Sequence, residues 1–274
     1  LIDFDYRKQM FHFVVSADDS ALGRIDYESM PEQTLMELLI DGISNREKIC
    51  GNKESPENFN DWHGITGSQN HVGEIEWMNL RLKGSLALQW MPPRVCIFAA
   101  VKNRLSGSID LTRLPEGLQG IFLHKNEFTG EVQLNQLPES LQEIDLSFNQ
   151  LTGSINLIHL PKGIEELILR NNRFSGSLDL THMPTGIYQV DVSVNELSGY
   201  PDFTKLPDSL TLLYLSSNKL SGIADFTHLP PSLEYFRFEE NIELEGYIAR
   251  KDVSTNLALR MDTLHTKVTT EWKT

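Results

Sequence analysis

The 274-residue sequence predicts an α/β solenoid, a coil of short repeated units with a parallel β-sheet along one face. Three columns of residues carry that prediction. Asparagines fall every 23 residues, at Asn103, Asn126, Asn149, Asn172, Asn195, Asn218 and Asn241. A Leu-Pro or Met-Pro pair begins at Met91, Leu114, Leu137, Leu160, Met183, Leu206 and Leu229. A glycine recurs at Gly84, Gly107, Gly130, Gly153, Gly176, Gly199 and Gly222. A fixed period of this length marks stacked units, none of which buries its apolar face alone.

Within a unit each element has a reason. Leu118, Ile121, Leu123 and Phe128 recur in kind as Leu141, Ile144, Leu146 and Leu151. The Ile-x-Leu alternation is that of a short strand with one buried face. At the asparagine the chain turns and its backbone groups lose their ladder partners, which an amide side chain can replace. The glycine four residues on suits a bend with positive φ. Proline then fixes φ and ends helical tendency before the next strand.

The unit L-P-x-x-L-x-x-I-x-L-x-x-N-x-F-x-G resembles a leucine-rich repeat. Its 23-residue length is similar to that of protist repeat families, those of kinetoplastids among them. The resemblance implies a right-handed superhelix with the parallel sheet on its concave face. Stretches such as Gly176-Ser-Leu-Asp-Leu-Thr-His-Met183-Pro stand where longer repeats place a helix, so the convex face is expected to be mostly extended and irregular, or short-helical.

Three regions are expected: a cap over residues 1–67, about eight repeats over 68–246, and a carboxy-terminal cap or tail over 247–274. Val72, Ile75, Trp77, Leu82, Gly84 and Leu88 fit the repeat offsets and make a degenerate first unit. Before it, Asp61-Trp62-His63-Gly64-Ile65-Thr66-Gly67 resembles the plant-type amino-terminal cap W-x-G-I/V-x-C, with Gly67 where that pattern has a disulfide-forming cysteine. A preceding helix is expected, with Ser29 and Glu32 as a capping box, Pro31 in its first turn, and Leu35, Leu38, Leu39 and Ile43 on one face. Phe4, Phe11, Phe13, Val14 and Val15 point to one or two strands or coils against the cap. In the tail, Leu257, Met261, Leu264 and Val268 fit a helix, whereas Leu257, Leu259 and Met261 alternate like a strand.

The function expected of such a frame is protein recognition through the concave sheet, as a non-catalytic scaffold or adaptor within an intracellular assembly. Met78, Ile97, Ala99, Val101 and Phe122 form an apolar area there, extended by Phe148 and Ile168. Tyr188, Leu212, Tyr214 and Tyr235 form an aromatic area beside Arg237, and Glu143, Asp145, Glu165 and Glu166 lie between the two. The best candidates for partner contact are Ile97, Val101, Phe122, His124, Phe148, Tyr188, Tyr214, Tyr235 and Arg237. Apolar patches rimmed by charge mark contact sites. An intramolecular cover is the alternative.

The formal charge of −14 disfavours nucleic acid and anionic membranes and is compatible with a basic protein partner. Cys50 and Cys96, with no Asn-x-Ser/Thr sequon, favour a reducing compartment, probed against the alternative of an extracellular receptor or surface-antigen ectodomain. No apolar run approaches the ~20 residues of a membrane span, and no leader is visible in a chain that begins at Leu1. His159, His182 and His228 share one convex offset without evident carboxylate companions and are read as drift of the repeat, not a metal site. Nothing indicates a catalytic constellation or a cofactor.

Overall fold

A computed structural model describes residues 30–68, 71–253, 257 and 261–271. Glu32–Thr274 form one compact unit. Phe4, Phe11, Phe13, Val14, Val15 and Ser29 lie outside the described residues.

The compact unit is a parallel β-solenoid of about eight turns with little helix. Among the described residues its concave sheet has nine strands: Ile65–Ser68, His71–Glu76, Ile97–Ala99, Gly120–Phe122, Glu143–Asp145, Glu166–Ile168, Gln189–Asp191, Leu212–Tyr214 and Tyr235–Arg237. The first pair is antiparallel, and every later strand joins its neighbour in parallel at an offset of 23 residues. The middle residue of each short strand points inward, so Phe98, Ile121, Ile144, Leu167, Val190, Leu213 and Phe236 are buried.

The asparagine column does the expected work. Asn149 donates from Nδ2 to the Leu123 carbonyl of the preceding coil (3.1 Å) and to the Leu146 carbonyl of its own coil (3.0 Å). Its Oδ1 accepts from Phe128 N–H (3.1 Å). Asn172, Asn195, Asn218 and Asn241 repeat the set. Each joins two coils, and leaving one such group unpaired costs ~1–3 kcal/mol. The left-handed conformation falls on the residue just before the asparagine, in Lys102, Lys125, Phe148, Asn171, Val194, Ser217 and Glu240 (φ 53–63°).

After the asparagine the chain enters a second parallel ladder. Lys83–Gly84, Arg104–Gly107, Glu127–Glu131 and Gln150–Thr152 form its first part. Ser175–Ser177, Glu196–Gly199, Lys219–Ala224, Glu243–Ile248 and Lys267–Thr270 form its second, linked by the Ser154–Ser175 bridge. On the convex side, Asp110, Asp179, Asp202 and Asp225 each accept from the amide and hydroxyl of the threonine two residues on. These local turns compete with helix for the same backbone groups. They hold the carboxyls low, Asp179 to about 2, with Thr181 as the main cause.

The core of the middle coils is mostly aliphatic, with Phe128 and Phe174 buried among aliphatic neighbours, and it becomes densely aromatic toward the carboxy-terminal end. Phe203 and Phe226 occupy the offset of Leu157 and Leu180, and with Phe236 and Phe238 they pack at ring centroid distances of 5.0–6.2 Å.

In the cap, helix α1 (Glu32–Leu39) buries Leu35, Met36 and Leu39. Leu38, expected on that face, is only half-buried because Met36 takes the inward position. The Glu32 carboxylate receives Val72 N–H (2.8 Å), which ties the helix start to the first coil. Short helix α2 (Glu47–Cys50) follows. Trp62 and Trp77 are buried, and their indole N–H groups donate to the carbonyls of Glu57 and His63. A Cβ at Gly67 would stand 1.9 Å from the His71 carbonyl oxygen, so the cysteine of the plant-type pattern has no room in this backbone. Cys50 (buried) and Cys96 (half-buried) are free thiols.

In the tail, Leu257 is helical and its carbonyl accepts from Met261 N–H (3.0 Å), as the helix reading expects, whereas Val268 falls in a strand and Leu259 lies outside the described residues. Asp262 bridges to Arg237, His265 takes the left-handed turn position (φ 52°), and Lys267–Thr270 extends the second ladder. Leu257, Met261 and Val268 are buried, whereas Leu264 is 52% exposed. The tail thus begins another coil, and Leu264 points outward.

Candidate protein-binding surface on the concave sheet

The concave strands present two outward columns in strict register. One runs Ile97, Gly120, Glu143, Glu166, Gln189, Leu212, Tyr235; the other runs Ala99, Phe122, Asp145, Ile168, Asp191, Tyr214, Arg237. A third, Val101, His124, Ser147, Arg170, Ser193, Ser216, lies just past the strand ends, held by backbone bonds such as Lys102 N–H to His124 O (3.0 Å) and Phe148 N–H to Arg170 O (3.0 Å). Adjacent strands are ~4.8 Å apart, so each column is a continuous stripe.

Side chains converge on a concave face, and length decides which of them reach solvent. Ala99, Val101, Ser147, Asp191 and Ser193 are buried. Val101, expected as a contact residue, is therefore corrected: at 5% exposure this short side chain forms floor between longer neighbours. Ile97, Phe122, His124, Phe148, Tyr188, Tyr214, Tyr235 and Arg237 are all partly exposed.

The middle coils form a charged strip. His124 Nδ1 lies 2.9 Å from Asp145 Oδ2, and an Arg170 guanidinium nitrogen lies 3.8 Å from Asp191 Oδ2. Burial pushes the Asp145 carboxyl up, but hydrogen bonds from His124 and Ser147 outweigh it and its pKa is lowered. At Asp191 burial prevails over the Ser193 hydrogen bonds and Arg170, and the pKa is raised. Glu166 is raised by burial and then by Glu143, Asp145 and Glu165. Tyr214 is raised by burial, with Asp191 and Tyr235 adding to it.

Phe148 sits at the lip of this strip in the left-handed turn. The Lys125 Nζ and the Arg170 guanidinium lie 5.7 and 5.2 Å from its ring centroid, holding a half-exposed aromatic in place. Sequence offsets placed Phe148 near the apolar area but not between two cations, since that clamp depends on side-chain direction.

On the convex side, His182 Nδ1 lies 2.9 Å from Asp179 and His228 Nδ1 3.9 Å from Asp225. The expectation that these histidines lack carboxylate companions is therefore corrected. The partner stands three residues earlier, within the local turn.

Comparisons with known proteins agree with this architecture. The Leucine Rich Repeat family model matches residues 140–159. A search of curated proteins returns no match. Among solved structures, a plant ice-binding protein is 20% identical, with a TM-score of 0.51 over 87% of this chain and 95% of that one. Pollen Receptor Kinase 3 is 21% identical, with a TM-score of 0.50 over 69% of this chain and 96% of that one. The Arabidopsis receptor kinase HAESA, solved with a peptide hormone and a co-receptor, is 17% identical, with a TM-score of 0.48 over 87% of this chain and 50% of that one. The 23-residue repeat, the family-model match over residues 140–159 and the shared architecture give this chain the fold of leucine-rich repeat proteins.

Proposed function

We propose that the chain is a non-catalytic recognition module that binds a protein or peptide partner along its concave sheet. The observation that carries this reading is the half-exposed strip of Ile97, Phe122, Phe148, Tyr214, Tyr235 and Arg237, mounted on a frame fixed by the asparagine ladder. Preordered side chains lose little entropy on binding. The half-buried Asp145 and the buried Asp191 add polar anchor points beside apolar ones such as Phe148. Solved proteins of this fold include a receptor kinase with its peptide hormone, which supports a peptide or protein ligand by fold alone.

For the compartment, we place an extracellular ectodomain ahead of the intracellular subunit, since receptor kinases recur among proteins of this fold. The free thiols of Cys50 and Cys96 are the observation on the other side. We take residues 1–67 as cap, 68–246 as array and 247–274 as terminal coil.

The test is native purification of the tagged protein, with and without Phe122→Glu and Tyr214→Ala. Either variant should weaken partner capture roughly tenfold or more while the thermal midpoint stays near wild type. Undiminished capture by both would remove the concave face from the interaction. Surface labelling of intact cells decides the compartment: labelling supports the ectodomain, and protection supports the intracellular subunit.

A further inference from the structure

The charge of the chain is unevenly distributed. Residues 77–126 hold seven Lys or Arg against two Asp or Glu, within a protein of formal net charge −14. The fold gathers Arg81, Lys83, Lys102, Arg104 and Lys125 on one lip, where the chain leaves the concave sheet for the second ladder. Arg81, Lys102 and Lys125 take left-handed turn conformations (φ 56–58°), and Lys83 and Arg104 face each other directly in the parallel ladder. All five are exposed, and among the described residues none enters an ion pair.

Like charges in adjacent strands oppose folding, so stability does not account for the arrangement. The lip also passes directly into apolar surface. Met78 is 52% exposed, Phe122 is half-exposed, and the Phe148 ring is held by Lys125 itself. One coil further along, Glu143, Asp145, Glu165 and Glu166 reverse the sign of the surface.

We propose that this lip docks a short acidic segment of a protein or peptide partner that also carries an aromatic or large apolar side chain. Its carboxylates, or phosphate or sulfate esters, meet the five cations, and the apolar group lies on Met78 and Phe122. The acidic band limits the length of the anion. A basic surface spanning about three coils, each ~4.8 Å wide, suits a few charges and repels a long polyanion. This favours an acidic peptide over nucleic acid or an anionic membrane. The proposal rests on the concave-face reading and names the chemistry of its ligand.

The experiment is fluorescence anisotropy with a labelled short peptide of four glutamates followed by Tyr and Phe. Its controls are the same peptide with Lys for Glu, one with Gly for both aromatics, an oligothymidine of equal length, and phosphatidylserine-containing vesicles. The acidic aromatic peptide should bind, and its affinity should fall roughly tenfold as salt rises from about 50 to about 300 mM. The combined change Lys102→Glu, Arg104→Glu and Lys125→Glu should abolish binding, and the milder Lys102→Gln with Arg104→Gln should weaken it at an unchanged thermal midpoint. The control pair Lys162→Glu and Lys205→Glu, on exposed positions elsewhere, should leave it intact. Equal binding by the triple variant, no binding by the acidic peptide, or tighter binding of oligothymidine or vesicles overturns the proposal. With the natural partner, capture lost through Tyr214→Ala but kept by the triple variant defeats the lip proposal and leaves the concave reading standing; capture kept by both defeats both.

Discussion

Asp145 and Asp191 stand two coils apart in the same outward column, yet burial acts on them with opposite net results. Asp145 has its pKa lowered, because His124 and Ser147 more than offset its burial. Its ionised form therefore favours the fold above the unfolded value, near 3.8, and that stability is lost as pH falls through the lower folded value. Asp191 has its pKa raised by burial. Between the ordinary value of 3.8 and its folded one, the native state binds more protons than the unfolded state, so stability is lost as pH rises through that window. Asp145→Asn should lower the urea midpoint at neutral pH. Asp191→Asn, whose amide oxygen can still accept from Ser193, should hold or raise it and remove that acidic-side slope. Parallel urea titrations at about pH 4 and 7 decide the matter; the same sign for both variants would show that hydrogen bonding, not the balance with burial, sets their contribution. The inward asparagines were legible in the sequence because their spacing is invariant. The difference between two aspartates in one column was not, since it depends on what else crowds the concave side.

At the scale of an element, the junction of cap and array hangs on Gly84. Its φ is +99°, and a Cβ there would meet the Gly42 carbonyl oxygen at 2.1 Å, beside the Ile43–Gly84 bridge. Gly107 occupies the same offset one coil later at φ +85°, but a Cβ there meets only the Ser85 side chain at 3.5 Å. Gly107→Ala should therefore cost only the left-handed strain, about 1–2 kcal/mol. Gly84→Ala adds a backbone collision and should cost at least ~1–3 kcal/mol more. Denaturant unfolding of the two variants, with limited proteolysis of the cap, measures this; equal losses would mean that the cap yields freely. The three-residue strands follow from alternation over a fixed period. The second ladder and the terminal coil do not, because their pairing joins residues 21–22 apart, many of them with small or polar side chains, such as Ser106 with Glu127 and Gly222 with Leu244. In the tail, helix and strand patterns overlap: Leu257 is helical, and pairing with Glu243–Ile248 makes Lys267–Thr270 a strand.

For the whole molecule, stability should be a sum over coils and their contacts, because each coil touches only its neighbours. The period then becomes a quantity that can be tested directly. Removing residues 150–172 takes out one unit of 23 and joins Asn149 to Arg173, so every asparagine still meets a carbonyl one coil behind. Removing residues 150–171 leaves one extra residue at that junction, and a one-residue slip turns inward side chains outward on a strand. The first deletion should fold cooperatively with a smaller denaturant slope, since it buries less surface. The second should lose cooperativity or become prone to proteolysis. Circular dichroism and urea unfolding of the pair suffice, and equally good folding by both would mean that the frame tolerates slips the asparagine ladder should forbid. The shortened frame also probes recognition. It lacks Glu166, Ile168 and Arg170 but keeps Phe122, Lys102, Lys125 and Tyr214, and brings the two ends of the concave strip one coil closer. A partner that spans the strip should lose affinity through misplacement alone, whereas one seated only on the basic lip should retain it.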